Sequence, residues 1–346
     1  MKKTIKYAVV GLGVGRQHCK SANNSQNAEL FAVCDLLQSK LDSAKEQYPG
    51  ILTYTSFEEM LKNPDIDIVS IAVPSGMHAD LAVQALEAGK HILVEKPIDI
   101  TPERAMRIEE ARKKTGLKAG VIHQNRFNAV MKPLKEAVDS GKLGNLFLGT
   151  FAVKWFRDQK YYDSGGWRGT WAMDGGGSLM NQAVHTVDLM QWLMGGVHSI
   201  TSTMGIVNHK IETEDLTVSI VKFKSGAVAT FTSTTCCHPG VSTDIQLYGT
   251  KGSVEIDHDV LKLWEIVGGD DFEKNEMLET YGKGNSAAVA LDPTLVLGHA
   301  VQVEDMITAV LEDRDPLVMP MEAIKSVRII NAVYESARAG GKEVLL

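Results

Sequence analysis

The sequence predicts an α/β protein in which a doubly wound parallel sheet precedes an α+β domain with a large open, mainly antiparallel sheet. In the first third, short apolar runs alternate with helical segments, which predicts parallel strands joined by right-handed crossovers. After about residue 125 longer stretches of alternating polar and apolar residues take over, typical of antiparallel strands with one exposed face. A chain of 346 residues suits about two domains, and we place them at 1–124 and 125–346.

Composition narrows the function classes. Hydrophobic residues make up 44% and charged residues 23% of the chain, as in soluble globular enzymes. The net charge of −7 argues against a nucleic-acid partner or an anionic membrane. No apolar run reaches the roughly 20 residues of a membrane span, and the four cysteines form no spaced framework. We therefore expect a cytoplasmic enzyme with reduced thiols and a small-molecule substrate.

The predicted elements of the first domain follow one another with short gaps. Thr101 followed by Pro102 is a helix-start signal for the last of them. The predicted strands are 5–10, 30–34, 51–54, 66–73 and 91–95, and the helices are 15–23, 38–47, 57–62, 77–88 and one from 102.

The second domain is predicted to contain one large sheet with helices on a single side. Its open face predicts self-association, as a homodimer or homotetramer. The predicted strands are 146–156, 200–207, 216–223, 227–235 and 243–248; the helices are 131–140, 178–194, 299–312 and 321–339; and 270–293 is predicted to be an irregular surface excursion.

A glycine-rich turn lies between the first strand and the first helix, where a dinucleotide fingerprint belongs. Gly11 permits the tight turn, and Gly13 lets the backbone approach a pyrophosphate at the helix N-terminus. Val14 follows, and the third glycine comes one residue early, at Gly15. Such a turn alone also occurs as a plain strand–helix connection.

Asp35 strengthens the dinucleotide interpretation. It ends the second strand about 20 residues after the glycines, where a carboxylate accepts hydrogen bonds from both ribose hydroxyls of NAD. Leu36 and Leu37 follow it, with no arginine for a 2′-phosphate, so NAD is favoured over NADP. The alternative is an ordinary loop aspartate.

Two segments leave later strands of the same sheet. Pro74, Ser75 and His78 follow the fourth strand on the side expected for the nicotinamide, with His78 more suited to starting a helix than to catalysis. Glu95 and Lys96 end the fifth strand. Low-dielectric surroundings disfavour the ammonium form of a lysine, which makes Lys96 a candidate acid/base group.

A second constellation runs from Gly175 to Asp188. The three glycines at its start leave the backbone open to a ligand, and Asn181, His185 and Asp188 share one helix face. The alternative is a core histidine satisfied by Asp188. Beside a nucleotide-binding domain, catalysis is the favoured interpretation.

The chain resembles the glucose–fructose oxidoreductase/inositol dehydrogenase (Gfo/Idh/MocA) family over nearly its whole length. The motifs that carry the resemblance are Gly11-x-Gly13, Glu95-Lys96-Pro97, the Gly175–Asp188 block and Tyr248–Gly252. The resemblance implies a Rossmann domain that binds NAD, with Lys96 and His185 as acid/base groups at the substrate carbon. Asn181 stands where many members have aspartate, and an amide can orient a hydroxyl but cannot relay a proton. The Asn181-Gln182-x-x-His185 pattern is similar to members that act on nucleotide-linked or glycosidic amino sugars.

Further candidates for substrate contact are Arg126, Lys154, Trp167 and His238. Arg126 could equally tie the domains together, and the aromatic residues could be packing. Adjacent cysteines at 236 and 237 rarely chelate one ion, so no metal is expected.

The predicted function is NAD-dependent oxidation of a ring hydroxyl on a sugar, glycoside, nucleotide sugar or cyclitol, or the reverse reduction. The alternatives are a keto-sugar reductase, a redox-neutral enzyme that retains NAD and cleaves glycosides by transient oxidation, and a non-catalytic sensor. Because Lys96 and His185 are both present, the sensor is disfavoured.

Overall fold

The computed structural model describes residues 4–285 and 298–346. The chain forms two compact units. The first contains Met1–His123 and Gly298–Ile324, and the second contains Gln124–Leu297 and Lys325–Leu346. The first unit is therefore discontinuous in sequence, unlike the predicted domain 1–124.

The first unit is built on a six-stranded sheet in the order β3-β2-β1-β4-β5-β6. Every neighbouring pair is parallel, which confirms the doubly wound sheet. Apart from the partly exposed edge strand β3, the strands are short, mainly apolar and largely buried, as expected where helices cover both faces. Their bounds are β1 Ile5–Val10, β2 Ala28–Cys34, β3 Leu52–Tyr54, β4 Ile68–Ile71, β5 His91–Val94 and β6 Ala119–Val121.

Helices of the first unit include one from near the C-terminus. The early ones are α1 Gly15–Asn24, α2 Gln38–Gln47, α3 Phe57–Leu61, α4 His78–Glu87 and α5 Pro102–Thr115. A later helix, numbered α10, spans His299–Leu311. Its Val303, Met306 and Ile307 are fully buried in the core that also contains Ile5 and Leu93. This apolar burial corrects the predicted assignment of the whole of 125–346 to the second domain.

The second unit contains an eight-stranded sheet in the order β13-β12-β11-β7-β10-β9-β8-β14. Strands β7 and β10 pair in parallel and the other neighbours are antiparallel, as predicted for a mainly antiparallel sheet. The bounds are β7 Leu146–Lys154, β8 Val197–Gly205, β9 Leu216–Phe223, β10 Val228–Thr234, β11 Ser242–Gly249, β12 Gly252–Asp257, β13 Val260–Ile266 and β14 Val344–Leu345.

Helices cover one face of this sheet. Phe151 and Val153 of β7 pack in one core with Val184 and Val187 of the helix that carries His185. On the other face the alternation of β9 exposes Val218 and Ile220. The helices of the unit are α6 Met131–Asp139, α7 Gln159–Asp163, α8 Val184–Met194 and α9 Asp271–Tyr281, together with most of α11, Pro320–Arg338.

Two local differences from prediction have physical causes. The excursion predicted for 270–293 contains α9, because Asp270 caps the helix by accepting from the Phe272 N–H; residues 286–297 lie outside the described part. The helix predicted for 178–194 begins as a π-helical turn, Ser178–Gln182. The buried Glu214 carboxylate holds the backbone of this turn by accepting from the Gly177 and Leu179 N–H groups. Within residues 4–285 and 298–346, no helix is long and apolar enough to cross a membrane.

Candidate active site

The glycine turn of the first unit has the shape that a pyrophosphate requires. A Cβ on Gly11 would lie 2.3 Å from the Ala72 carbonyl oxygen, whereas one on Gly13 would meet nothing within 4 Å. A Cβ on Gly15 would lie 2.9 Å from Val9 Cγ1, so this glycine lets α1 pack closely on the sheet. Gly15 thus fills the role of the third fingerprint glycine despite its early position. At Gly13 the space beside the backbone is open, so a pyrophosphate could approach the turn there.

The Asp35 carboxylate lies directly beside this turn. It accepts hydrogen bonds from the Leu12 N–H at 2.7 Å, the Leu37 N–H at 3.0 Å and Lys40 Nζ at 3.0 Å. Burial alone would raise the pKa of Asp35, but the two N–H groups and the Lys40 ammonium hold it below its usual value. The carboxylate is therefore ionised at neutral pH and suits a ribose diol.

Lys40 was missed by the sequence reasoning, which looked for an arginine next to Asp35. It lies in the first turn of α2 and brings a cation to the same carboxylate oxygen that binds the Leu12 N–H. A cation at this position favours a 2′-phosphate, while Asp35 disfavours one. The two side chains therefore act against each other in the choice between NAD and NADP.

Replacing Asp35 with alanine is expected to weaken NAD binding by roughly 10- to 100-fold, because hydrogen bonds to a charged group contribute about 1.5–3 kcal/mol. Lys40→Ala is expected to weaken NADPH binding and to leave NADH binding nearly unchanged. Fluorescence titration with both reduced coenzymes measures this, with Lys45→Ala, exposed on the same helix, as the control. Unchanged affinities in Asp35→Ala would remove Asp35 from the site.

His78 joins two loops of the first unit. Its Nδ1 lies 2.7 Å from the Pro97 carbonyl oxygen and its Nε2 lies 2.9 Å from the Val73 carbonyl oxygen. The residue is buried and begins α4, as the sequence suggested, and Pro74 and the buried Ser75 lie in the turn before it. Both ring nitrogens are engaged within the protein, which supports a structural role for His78 in fixing the segment after Lys96.

Glu95 is the centre of a buried histidine–carboxylate cluster. Its Oε1 accepts from His18 Nε2 at 2.8 Å and His299 Nε2 at 3.0 Å, and its Oε2 accepts from the Lys96 N–H at 3.0 Å. Burial would raise the pKa of Glu95, but the two histidines hold it well below its usual value. Glu95 thus fixes the backbone of Lys96. The sequence did not connect His18 or His299 with Glu95, because both are distant from Glu95 in the chain.

Two groups of side chains in the described residues are close enough to suggest a metal ion: the Glu95 cluster and His209–Asp215–Cys236. In the Glu95 cluster, both histidine Nε2 atoms already form hydrogen bonds with the carboxylate, so these atoms are not free to bind a metal ion. In the second, burial raises the pKa of Cys236 to about 11, so the thiol keeps its proton. A protonated thiol is a poor ligand, since metals bind the thiolate. The absence of a metal stays a prediction.

The glycine block of the second unit makes room for protein groups. A Cβ on Gly176 would lie 2.0 Å from Tyr334 Oη, and one on Gly177 would lie 1.9 Å from the Glu214 carbonyl oxygen. The interpretation of these glycines as an opening for a ligand is therefore corrected: at both positions the space is filled by Tyr334 or Glu214.

Glu214 is the buried carboxylate that shapes the π-helical turn before α8. It accepts from the Gly177 N–H at 2.6 Å, the Leu179 N–H at 2.7 Å and Tyr334 Oη at 3.0 Å. Complete burial raises the pKa of Glu214 to about 7 in spite of these hydrogen bonds. The turn leads directly into His185, so Glu214 helps to set the position of that histidine.

Asn181 belongs to a side-chain network that extends to Arg157. Asn181 Nδ2 donates to Asp174 Oδ1, and Gln182 Nε2 donates to Asn181 Oδ1 at 2.9 Å and to Tyr161 Oη at 2.7 Å. Arg157 Nη2 donates to Gln182 Oε1 at 2.9 Å. The amide of Asn181 is thereby held in one orientation, and Asp174 and Gln182 join the site as residues with no role predicted from sequence.

His185, the second residue of α8, is buried, and its Nε2 lies 3.3 Å from Gln124 Nε2. With the amide as donor, this ring nitrogen is an acceptor, and Gln124 engages its single lone pair. Asp188 forms a bidentate ion pair with Arg126, at 2.6 Å and 2.7 Å. Arg126 therefore ties the segment around Gln124 to α8 within the second unit. Both alternatives for Arg126, a tie between the domains and a substrate contact, stay predictions.

The remaining substrate candidates lie at different places in the second unit. Lys154 belongs to the face of β7 opposite Phe151 and Val153, and its Nζ pairs with Asp244 at 2.8 Å. The structure therefore does not bring Lys154 to the helical side that carries His185. Trp167 is stacked by Arg168, and His238 packs edge-on against Phe156.

The fold, the glycine turn with Asp35 in the first unit and the Asn181–His185 segment in the second unit define an NAD(P)-dependent oxidoreductase acting on CH–OH groups. The family model for the oxidoreductase family with an NAD-binding Rossmann fold matches residues 5–123, and the model of the GFO/IDH/MocA C-terminal domain matches 131–255. The chain belongs to the GFO/IDH/MocA family.

Two solved structures resemble the whole chain. The WlbA dehydrogenase from Chromobacterium violaceum is 32% identical with a TM-score of 0.90, and the match covers 99% of this chain and 96% of that one. WlbA from Bordetella pertussis is 28% identical with a TM-score of 0.90, over 99% and 98%. Both are complexes with NADH and UDP-GlcNAcA.

A curated relative from Comamonas testosteroni is 1-carboxy-3-chloro-3,4-dihydroxycyclohexa-1,5-diene dehydrogenase. It is 30% identical over 274 residues, which cover 76% of this chain and 66% of that enzyme.

Proposed function

We propose that the protein oxidises a ring hydroxyl of a sugar or sugar-like ring with NAD, with nucleotide sugars as the first substrate class to test. The observation that carries this is the fixed Asn181–Gln182 network beside His185, in a family whose N-terminal domain is an NAD-binding Rossmann fold. The two WlbA relatives support the substrate class, because both were solved with a nucleotide sugar.

Gly11, Gly13, Val14, Gly15 and Asp35 would hold the cofactor, and the bound NAD would supply a hydride acceptor. Pro74, Ser75, Glu95 and Lys96 belong to the predicted cofactor side of the site, with Glu95 acting through the Lys96 backbone. The limits of this set stay a prediction.

His185 and Lys96 are the proposed acid/base residues. One of them takes the proton from the reacting hydroxyl as the carbon gives up its hydride, and the other hydrogen-bonds the developing alkoxide. In the base role, His185 Nε2 would exchange its contact with the Gln124 amide for the reacting hydroxyl before it accepts that proton. Asn181 is proposed to orient the substrate, since its amide is fixed from Asp174 and Gln182.

The experiment is an assay of NADH formation with UDP-GlcNAcA, UDP-GlcNAc, glucuronate, glucose, levoglucosan and scyllo-inositol. We expect NADH and a ring ketone from at least one nucleotide sugar, and reduction of that ketone by NADH in reverse. Glycoside loss without NADH would favour redox-neutral chemistry on retained cofactor. No turnover of any compound, by a protein that binds NADH, would contradict the proposal.

We also propose that the open sheet face pairs two copies of the chain in a homodimer or homotetramer. Val218, Ile220 and Val228 are exposed on neighbouring strands β9 and β10 of that face. Light scattering after size exclusion measures the mass, and Ile220→Lys should shift it towards the 37.7 kDa monomer.

A further inference from the structure

Arg157 and Arg168 both contact the ring of Tyr161 in the second unit. Their guanidinium carbons lie 5.3 Å and 4.9 Å from the ring centroid. Within the described residues, neither forms an ion pair with a carboxylate. Other arginines do, namely Arg104, Arg107, Arg112, Arg126 and Arg314. In a chain with a net charge of −7, two adjacent uncompensated guanidinium groups form a local cationic site.

Aromatic rings and backbone oxygens hold both guanidinium groups in place. Arg157 also lies over Trp155 at 5.2 Å, and Arg168 lies over Trp167 at 4.8 Å. Arg157 Nη1 donates to the Phe156 carbonyl at 3.0 Å, and Arg168 Nη1 donates to the Ser164 carbonyl at 2.8 Å. These contacts order both guanidinium groups before a ligand arrives, which lowers the entropy cost of binding. They also leave N–H donors of both groups available for that ligand.

Arg168 contains a buried donor that the protein does not satisfy. Its Nε is shielded from solvent and has no hydrogen-bond partner in the described residues. A buried N–H without an acceptor is unfavourable, so Arg168 Nε is a donor left for a ligand or a water molecule. The fork formed by Nε and an Nη atom of arginine matches the two oxygens of a carboxylate or phosphate.

The pair is connected to the proposed reaction site by one hydrogen bond. Arg157 Nη2 binds Gln182, which precedes His185 by three residues, or about one helical turn of roughly 5 Å. A substituent on the same small ring as the reacting hydroxyl could therefore reach Arg157.

We propose that Arg157 and Arg168 form an oxyanion subsite that selects ring substrates carrying a carboxylate or phosphate. This rests on the proposed function and adds the charge of the substrate to it. The alternative is that the two arginines only stabilise the conformation of the segment 157–171. Their replacement would then change the affinity for charged and for neutral ligands equally.

Calorimetric titration with NADH present tests the subsite separately from turnover. The probes are UDP-GlcNAcA, which has a carboxylate and a diphosphate; UDP-GlcNAc, with the diphosphate only; glucuronate, with the carboxylate only; and glucose, with neither. The variants are Arg157→Gln and Arg168→Gln, with Arg157→Lys and Arg168→Lys as conservative partners. Lys251→Gln, an exposed charge in the turn after β11, is the matched control.

We expect each glutamine variant to weaken binding of a charged probe at least tenfold, the lysine variants to lose less, and Lys251→Gln to match the wild type. Losses shared by UDP-GlcNAcA and glucuronate assign a carboxylate, and losses shared by UDP-GlcNAcA and UDP-GlcNAc assign a phosphate. Equal losses for charged probes and glucose, or wild-type affinity in all four variants, overturn the proposal.

The test also separates this inference from the proposed function. Arginine-dependent binding without NADH formation would keep the subsite and reject the dehydrogenase assignment for that ligand. NADH formation with no charged probe preferred over its neutral counterpart would keep the dehydrogenase and reject the subsite. If a glutamine variant fails to fold, the lysine variant and its NADH affinity decide the outcome.

Discussion

His185→Ala and Lys96→Ala are each expected to lower turnover by a factor of about 10²–10⁴, the usual contribution of a general acid or base. Affinity for NADH should stay close to that of the wild type in His185→Ala, because His185 belongs to the second unit and the glycine turn to the first. Steady-state kinetics with the substrate found in the panel, together with NADH titration, measures both quantities.

Matched controls are available on the surface of each unit. His198→Ala in β8 and Lys20→Ala in α1 remove exposed side chains of the same types and should leave turnover unchanged. Turnover near the wild-type value in either Lys96→Ala or His185→Ala would reject that residue as an acid/base group. A loss of turnover accompanied by a lower melting temperature would point to damaged folding instead.

Glu214→Gln is expected to change how stability depends on pH. The pKa of Glu214 is about 7 in the folded protein, raised by burial from the ordinary value of 4.5 that applies to the unfolded chain. The native state therefore holds a proton that the unfolded chain releases, and this contribution is full below about pH 4.5 and is lost as the pH rises through about 7. The free energy of unfolding should fall by about 3 kcal/mol across this window because of Glu214.

Urea unfolding at several pH values measures this slope. The glutamine side chain does not titrate, so the variant should lack the fall due to Glu214, while Glu212→Gln, an exposed neighbour, should keep it. Equal slopes in wild type and Glu214→Gln would show that the buried carboxylate does not exchange a proton in this range. A pH-dependent turnover that disappears in Glu214→Gln would link the same carboxylate to the position of His185.

The features predicted correctly from sequence are those encoded locally. The strand–glycine–helix turn at Gly11–Gly15 and the strand end at Asp35 each depend on neighbouring residues in the chain. The structure brings them together, because the Leu12 N–H of the turn donates to the Asp35 carboxylate. The regular alternation of β9 likewise predicts which of its side chains face solvent.

The features missed depend on contacts between distant parts of the chain. Glu95 meets His18 across 77 residues and His299 across 204 residues. The space at Gly177 is filled by Glu214, 37 residues further on, so the glycine pattern alone cannot show whether it receives a ligand or a protein group. Lys154 lies on the face of β7 opposite Phe151 and Val153, because one step along a strand changes the face to which a side chain points, and its contact with substrate stays a prediction.

The discontinuous first unit imposes an order on biosynthesis. Ile5 leaves the ribosome about 300 residues, and Leu93 about 210 residues, before Val303, Met306 and Ile307, the residues of α10 with which they share a core. During that interval the nascent N-terminal sheet lacks part of its apolar cover, and this state favours association with chaperones or with other unfinished chains. A truncated product that ends near residue 124 would keep that surface exposed permanently, so the N-terminal part of the coenzyme-binding unit becomes stable only once α10 has been made.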